Sequence, residues 1–163
     1  MADSTTTQEL VELQLMAPML IQVGLMLLIT FWLAWARVGS VARKKVDMRD
    51  VSKHGWQGWI KQAGDNYSNQ YEAPLLFFIL CILMTLIDIS SRINSIDTLF
   101  ITTAWVFVVS RFAHAIIHLS FNHILTRFLV FLIGVLCLAI MFVLVTHSFL
   151  NLKEYGVYRE FGV

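Results

Sequence analysis

Charged residues are scarce in this sequence of 163 residues, at 14% of the chain, whereas 58% of its residues are hydrophobic. Soluble domains carry about 25% charged residues, so the composition excludes an ordinary soluble protein and indicates an integral membrane protein. The few charges nearly cancel, with a formal net charge of +1. Because nucleic-acid-binding domains normally carry a clustered basic excess, we expect no nucleic-acid partner.

Cysteine is also rare. The two cysteines, Cys81 and Cys137, each lie inside an apolar run. In that setting a cysteine is expected to be a small buried hydrophobic residue, and no structural disulfide is predicted. The cysteine content therefore does not define the redox compartment of the protein.

Four long apolar segments follow one another along the chain. They cover residues 15–36, 68–88, 98–121 and 124–150. Each is near or above the ~20 residues that a membrane-spanning helix needs. The sequence therefore predicts an all-α fold, a single integral membrane domain over residues 1–163 that forms a four-helix bundle.

Most of the positive charge lies in the linker between the first two segments, residues 37–66. The basic residues there are Arg37, Arg43, Lys44, Lys45, Arg49, Lys53 and Lys61, against the acidic Asp47, Asp50 and Asp65. The positive-inside rule puts this linker in the cytoplasm. Both termini are then expected outside the cytoplasm, as parts of a multi-pass membrane protein.

Seven polar residues are predicted to lie at the cytoplasmic ends of these four helices. They are Arg37, Asn69, Glu72, Arg111, His114, His118 and Arg127. Ionisable residues inside a bilayer are costly, and they mark functional sites. Three of them, in the third segment, have i, i+3, i+7 spacing, so they share one face of a helix.

Arg111 and Arg127 are interpreted differently. Glu72 is the predicted partner of Arg111, since a guanidinium–carboxylate pair at comparable depth satisfies both charges, and a structural role is favoured over catalysis for this pair. Arg127 can extend to lipid phosphate, or it can be a fixed cation that lowers the pKa of a bound thiol. The residues alone leave both readings of Arg127 open.

The histidines do not predict a metal or haem site. His114 and His118 lie toward one side of the membrane and His147 toward the other, so no two helices offer haem ligands at one depth. His114, His118 and Glu72 lack the further ligand that a closed zinc site needs. We expect the histidines to be hydrogen-bonded structural residues.

The polar residues occur in a recognisable order. The motifs are Asn69-x-x-Glu72-x-Pro74, then Arg111-x-x-His114-x-x-x-His118, then Arg127. Together they resemble the MAPEG family, the membrane-associated proteins in eicosanoid and glutathione metabolism, over nearly all of residues 15–150. The N-Q-x-E-x-P-x-L-x-F segment and the long basic linker resemble bacterial members, which implies the bacterial inner membrane.

This resemblance implies a homotrimer with active sites between neighbouring subunits. It implies glutathione as co-substrate, a lipophilic electrophile or peroxide as second substrate, and a thiol-dependent transferase or peroxidase activity. Arg127 matches the catalytic arginine that stabilises the thiolate. The implied glutathione contacts are Arg37, Asn69, Glu72, Arg111, His114 and His118.

Two positions depart from the eukaryotic members, which have arginines one and four residues before the asparagine. Here Ser68 and Asp65 occupy those positions, and an aspartate repels a glutathione carboxylate. The alternative function is therefore a non-catalytic protein of the MAPEG fold that serves as an accessory or lipid-binding membrane subunit.

Overall fold

The computed structural model describes residues 4–43, 45–91 and 96–154. The helices in these ranges are α1 (Ser4–Ala42), α2 (Met48–His54), α3 (Gly58–Ser91), α4 (Thr98–Leu119) and α5 (Ile124–Glu154). By length and composition, α1, α3, α4 and α5 are each able to cross a membrane. The predicted all-α fold with four long apolar helices is confirmed, and it is the architecture of a multi-pass membrane protein.

In the structure, the linker between the first two spanning helices is shorter than the predicted range of 37–66. α1 continues to Ala42 and α3 begins at Gly58, so only the segment around α2 separates them. The polar ends of both helices stay helical because they are still packed, with Ser40, Ile60 and Ala63 buried. Hydropathy identifies the stretch of a helix that contacts lipid, whereas the hydrogen-bonded helix extends beyond it.

The short helix α2 is exposed, and none of its residues is buried. Asp47 caps its N-terminus, where the carboxylate accepts a hydrogen bond from the backbone N–H of Arg49 at 2.9 Å. Gly55 ends it with a φ of 73°, a left-handed conformation that glycine adopts without strain. The chain thereby leaves α2 and reaches the start of α3 within a few residues.

α3 packs against the three other long helices, α1, α4 and α5. Its buried residues recur every three or four positions, which is the period of a helix face. They include Ile60, Ala63, Asn66, Gln70, Phe77, Cys81 and Met84. The outer faces of the long helices expose large apolar side chains such as Leu20, Phe31 and Val109, as expected for surfaces that contact lipid or another subunit.

One half of the bundle, which we call the apolar half, lies away from the α4–α5 turn. Phe77 and Phe107 stack there with ring centroids 4.7 Å apart, and Met141 is fully buried beside them. Cys81 and Cys137 are free and buried, which confirms their predicted role as small buried residues. This half has the dense apolar packing of a protein core.

The other half, which we call the polar half, lies toward the α4–α5 turn at residues 120–123. Its buried side chains include the polar Gln22, Asn66, Gln70, Arg111, His114 and His118, beside apolar residues such as Leu25, Ile29 and Ala115. At the boundary of the two halves, α4 and α5 approach closely, and a Cβ added at Gly134 would lie 3.0 Å from Ser110 Oγ. Small residues permit such close approach between membrane helices.

Candidate functional site

Three polar residues of α4 share one buried face in the polar half. Arg111, His114 and His118 are 1%, 3% and 2% exposed. The two imidazole rings lie edge to face with their centroids 5.7 Å apart. Within the described residues, no group of three or more histidine, cysteine, aspartate or glutamate side chains is arranged to hold a metal ion.

Polar side chains of α3 meet this face at successive helical turns. Gln70 Nε2 donates to the Arg111 carbonyl oxygen at 3.4 Å, and Gln62 Nε2 donates to the His118 carbonyl oxygen. Asn66 lies one turn from each glutamine, and because α3 and α4 are antiparallel it is level with His114. These contacts fix the rotation of α4 against α3.

The predicted ion pair between Glu72 and Arg111 is wrong. Arg111 Nη2 instead donates to the backbone carbonyl oxygen of Asn69 at 2.8 Å, whereas Glu72 is exposed. Glu72 follows Gln70 by two residues, which is a rotation of about 200° around the helix axis. Because Gln70 faces α4, Glu72 points away from α4 and cannot meet Arg111.

Arg127 lies in the first turn of α5, where two neutral side chains hold its guanidinium. Arg127 Nη1 donates to Asn122 Oδ1 at 2.9 Å and lies 3.2 Å from His118 Nε2. Asn122 belongs to the α4–α5 turn and has a φ of 45°, a left-handed conformation in which asparagine is enriched. The charge of Arg127 is held in place and is not neutralised by these contacts.

A polar cavity of about 210 Å³ lies beside Arg127. The residues that line it are Asn69, His114, Ile124, Arg127, Phe128 and Phe131. Asn69 Nδ2 donates to the Asp65 carbonyl oxygen at 2.8 Å, and the Phe131 ring packs near the His114 ring, with centroids 6.1 Å apart. The cavity thus combines a fixed cation, polar side chains and an aromatic wall.

A larger apolar groove of about 660 Å³ adjoins this cavity along α3 and α5. Asn69 and Phe131 line both spaces. The rest of the groove is formed by Glu72, Ala73, Leu76, Ile79, Leu80, Leu83, Val135, Leu138, Ala139 and Phe142. An apolar groove that ends at a few polar groups is a common form of small-molecule site.

Arg37 lies apart from the polar cavity. Its guanidinium lies over the Trp56 ring, 5.2 Å from the ring centroid, and its Nη2 would lie 3.2 Å from a Cβ added at Gly64. The structure therefore separates the predicted site residues into three groups. Around the cavity lie Asn69, His114 and Arg127, with His118 in contact with Arg127. Glu72 lies on the groove, and Arg111 lies deeper in the bundle. Arg37 lies on α1.

Comparison with known proteins identifies the family of this chain. The model of the MAPEG family matches residues 15–147, which is most of the sequence. This protein belongs to the MAPEG family. No curated protein and no solved structure was found to match the chain. The MAPEG match spans every candidate site residue from Arg37 to Arg127.

The polar half of this MAPEG protein also contains buried amides that the sequence analysis missed. Gln22, Asn66 and Gln70 have no exposed surface, and Gln22 Nε2 donates to Gln70 Oε1 at 3.4 Å. A signal was present, because Gln62, Asn66 and Gln70 recur every four residues and so share a helix face. Gln22 likewise interrupts an apolar segment, where a polar residue is expected to face the bundle interior.

Proposed function

We propose that this MAPEG protein is a thiol-dependent membrane enzyme. It transfers glutathione to a lipophilic electrophile, or it reduces a lipid hydroperoxide with glutathione. The observation that carries this proposal is the junction of the polar cavity beside Arg127 with the apolar groove, through Asn69 and Phe131. A water-soluble thiol in the cavity and a lipid-soluble substrate in the groove would meet at this junction.

Arg127 supplies the electrostatic part of the chemistry. A guanidinium has five N–H donors, and only the Nη1 group of Arg127 is engaged by side chains in the described residues. Nε and Nη2 therefore remain for an anionic ligand. A positive charge within a few ångströms lowers the pKa of a thiol, which raises the fraction of reactive thiolate.

Both reactions start from this thiolate. In the transfer, the sulfur forms a bond to the electrophilic carbon, the leaving group departs with the bonding electron pair, and the thiol proton goes to water. In the reduction, the sulfur attacks the terminal oxygen of the hydroperoxide, the O–O bond breaks, and the alkoxide that leaves takes a proton from water and departs as the alcohol. A second glutathione then reacts with the sulfenic acid, giving the disulfide and water.

The remaining residues position the thiol carrier. Asn69 and His114 line the cavity and offer polar atoms to the peptide groups of glutathione. Arg111 donates to the Asn69 carbonyl at 2.8 Å and so holds that part of α3 in place. Glu72 lies on the groove, where its carboxylate can accept hydrogen bonds from the glutathione amine.

A homotrimer would complete the site with a residue from a neighbouring copy. Arg37 supports this part of the proposal, because it is half-buried on α1, its guanidinium lies over the Trp56 ring of its own chain, and its Nε has no hydrogen-bond partner in the described protein. In the trimer, Arg37 of one copy would serve the cavity of another. The large exposed apolar side chains of the long helices give such an assembly a contact surface.

The proposed orientation follows from the basic segment between α1 and α3. Arg43, Arg49 and Lys53 are exposed there, and the positive-inside rule places them in the cytoplasm. The polar cavity lies at the same end of the bundle, because Arg127 is in the first turn of α5 next to the start of α3. Glutathione would then enter from the cytoplasm of a bacterial cell, with both termini on the other side of the inner membrane.

Activity of an Arg127 variant tests the proposal. In detergent or nanodiscs, the purified protein is assayed with glutathione and an aryl halide or a fatty-acid hydroperoxide. Arg127→Ala is expected to lower turnover by on the order of 10²-fold, because a preorganised charge on the reacting atom is lost. Its melting temperature and assembly size should stay those of the wild type.

A matched control is available on the same helix. His147 is exposed near the far end of α5 and contacts Asn151 at 3.4 Å, so His147→Ala should keep full turnover. If Arg127→Ala also keeps full turnover, the role proposed for Arg127 is wrong.

A second candidate function is a non-catalytic accessory or lipid-binding subunit. One observation favours it: the Asp65 carboxylate lies 2.9 Å from Lys61 Nζ, so it partly offsets the nearby positive charge that could attract a glutathione carboxylate. A ligand that binds only the folded state raises its melting temperature by mass action. If glutathione at well above millimolar concentration gives no rise, the accessory function is favoured over the enzyme.

A further inference from the structure

The contacts of Arg127 define the protonation state of His118. A guanidinium only donates hydrogen bonds, and Arg127 Nη1 lies 3.2 Å from His118 Nε2. Nε2 is therefore the accepting nitrogen, and His118 is the neutral tautomer with its hydrogen on Nδ1. The other hydrogen of Nη1 goes to Asn122 Oδ1 at 2.9 Å, so both hydrogens of this group are used.

We propose that His118 is a positioning residue for the Arg127 guanidinium. Together with Asn122 it holds Nη1 away from the ligand and turns Nε and Nη2 toward the polar cavity. This inference rests on the proposed function, in which Arg127 stabilises the thiolate. It assigns His118 an indirect role through Arg127, in place of the direct glutathione contact that the family resemblance implies.

His118 is itself held firmly enough to perform this role. Its side chain is 2% exposed, and its ring packs edge to face against the His114 ring, while Gln62 Nε2 donates to the backbone carbonyl oxygen that carries it. The buried Nδ1 has no hydrogen-bond partner in the described protein, so the ring is oriented by packing. Asn122 is held by its own backbone, whose N–H donates to the Ile117 carbonyl oxygen at 2.9 Å. The long arginine side chain, which has many rotamers, thus meets two fixed acceptors.

The chemistry of the two acceptors suits this purpose. Both are neutral, so they orient Arg127 without cancelling its charge, as a carboxylate in the same place would. An imidazolium at position 118 could not accept from Nη1 and would repel the guanidinium. The edge that stays free, formed by Nε and Nη2, carries the parallel N–H groups that bind anions in a bidentate manner.

Two substitutions of His118 separate positioning from simple packing. His118→Phe keeps an aromatic ring but removes the acceptor, and His118→Gln offers a carbonyl oxygen near the place of Nε2. We expect His118→Phe to lower kcat by about ten- to a hundredfold, because a small misplacement of a catalytic group has that effect, with little change in the KM for glutathione. His118→Gln should restore most of kcat, and His147→Phe should behave as wild type.

A chemical probe measures the positioning of Arg127 without any assay of turnover. Phenylglyoxal modifies exposed guanidinium groups, and mass spectrometry gives its rate at Arg127 relative to the exposed Arg49 of the same molecule. His118→Phe is expected to raise the relative rate at Arg127 severalfold, and His118→Gln is expected to leave it near the wild-type value. Equal rates in wild type and His118→Phe would overturn the proposal.

Asn122→Gly covers the case in which His118→Phe does not fold. Glycine accepts the φ of 45° at this position without strain, so the turn is kept while the second acceptor is lost. This variant should also raise the modification rate at Arg127, and an unchanged rate counts against the proposal.

The combined results separate the two levels of inference. If His118→Phe changes the modification rate at Arg127 but Arg127→Ala does not change turnover, the positioning is right and the proposed function is wrong. If Arg127→Ala abolishes turnover while His118→Phe changes neither kcat nor the modification rate, only the positioning role fails.

Discussion

In the apolar half of the bundle, Phe77, Phe100 and Phe107 have no exposed surface, and the same is true of Asn66 and Gln70 in the polar half. The phenylalanines pack against one another and against Met141. The amides in the polar half include atoms without a hydrogen-bond partner in the described protein, such as both side-chain atoms of Asn66. Complete burial therefore stabilises the fold where it packs the phenylalanines of the apolar half, and it costs free energy where it leaves amide atoms of the polar half without a partner.

The packing that stabilises the fold is thus concentrated in the apolar half, whereas the candidate site lies in the polar half. Close packing stabilises the apolar half, whereas an unpartnered buried amide costs about 1–3 kcal/mol. Among the residues that the structure describes, the buried side-chain atoms without a partner belong to Gln22, Arg37, Asn66, Arg111, His114 and His118. All of them lie on the helices that surround or approach the candidate site, where polarity serves binding.

The largest expected effect is the loss of packing in the apolar half. Phe107→Ala should lower the free energy of unfolding by about 3–5 kcal/mol, since a buried phenylalanine leaves a cavity. The matched variant Phe31→Ala removes a side chain that is 71% exposed and should cost less than about 1 kcal/mol. Reversible unfolding in mixed micelles measures both, and equal losses would contradict the division into two halves.

An intermediate effect is expected from two amides of the polar half. Gln70→Met removes the acceptor of Gln22 and the donor to the Arg111 carbonyl, and it should lower the free energy of unfolding by about 2 kcal/mol. Asn66→Leu removes two buried atoms that have no partner and should raise it by about 1–2 kcal/mol. The same unfolding assay applies, and a destabilised Asn66→Leu protein would show that Asn66 is solvated or bound in the folded state.

The smallest expected effect concerns the boundary between the halves. Gly134→Ala places a Cβ 3.0 Å from Ser110 Oγ, and it should cost about 1 kcal/mol, because either the Ser110 hydroxyl gives up its hydrogen bond to the Phe107 carbonyl oxygen or α5 shifts from α4. Adding Ser110→Ala removes the crowding oxygen and should recover most of that loss. Additive losses in the double variant would show that the two residues are not in contact.

The number and order of the spanning helices were predictable because long apolar runs have few alternatives in a membrane. The common face of Arg111, His114 and His118 was predictable from the period of the α-helix. The partner of Arg111 was not, because it depends on the rotation of α3 against α4. That rotation is set by Gln62 and Gln70, and hydropathy does not encode it for a helix with apolar residues on several faces.

The two readings of Arg127 could not be separated from the sequence for a similar reason. Whether this arginine extends to lipid or faces a cavity depends on the path of the chain between α4 and α5. In the structure, Asn122 adopts a left-handed conformation and its side chain returns to Arg127 at 2.9 Å. The conformation of this turn residue, together with His118, thus fixes where the guanidinium lies, and residue spacing alone cannot reveal it.

The turn between α4 and α5 is short, and its shortness limits how far α5 can move relative to α4. α4 ends at Leu119 and α5 begins at Ile124, so α5 has almost no freedom to slip relative to α4. One residue inserted into the turn would change the distance and direction from Asn122 to Arg127, so the 2.9 Å hydrogen bond between them would not keep its geometry. A MAPEG sequence could therefore keep every site residue and still lose the placement of Arg127 through a change of a single residue in turn length.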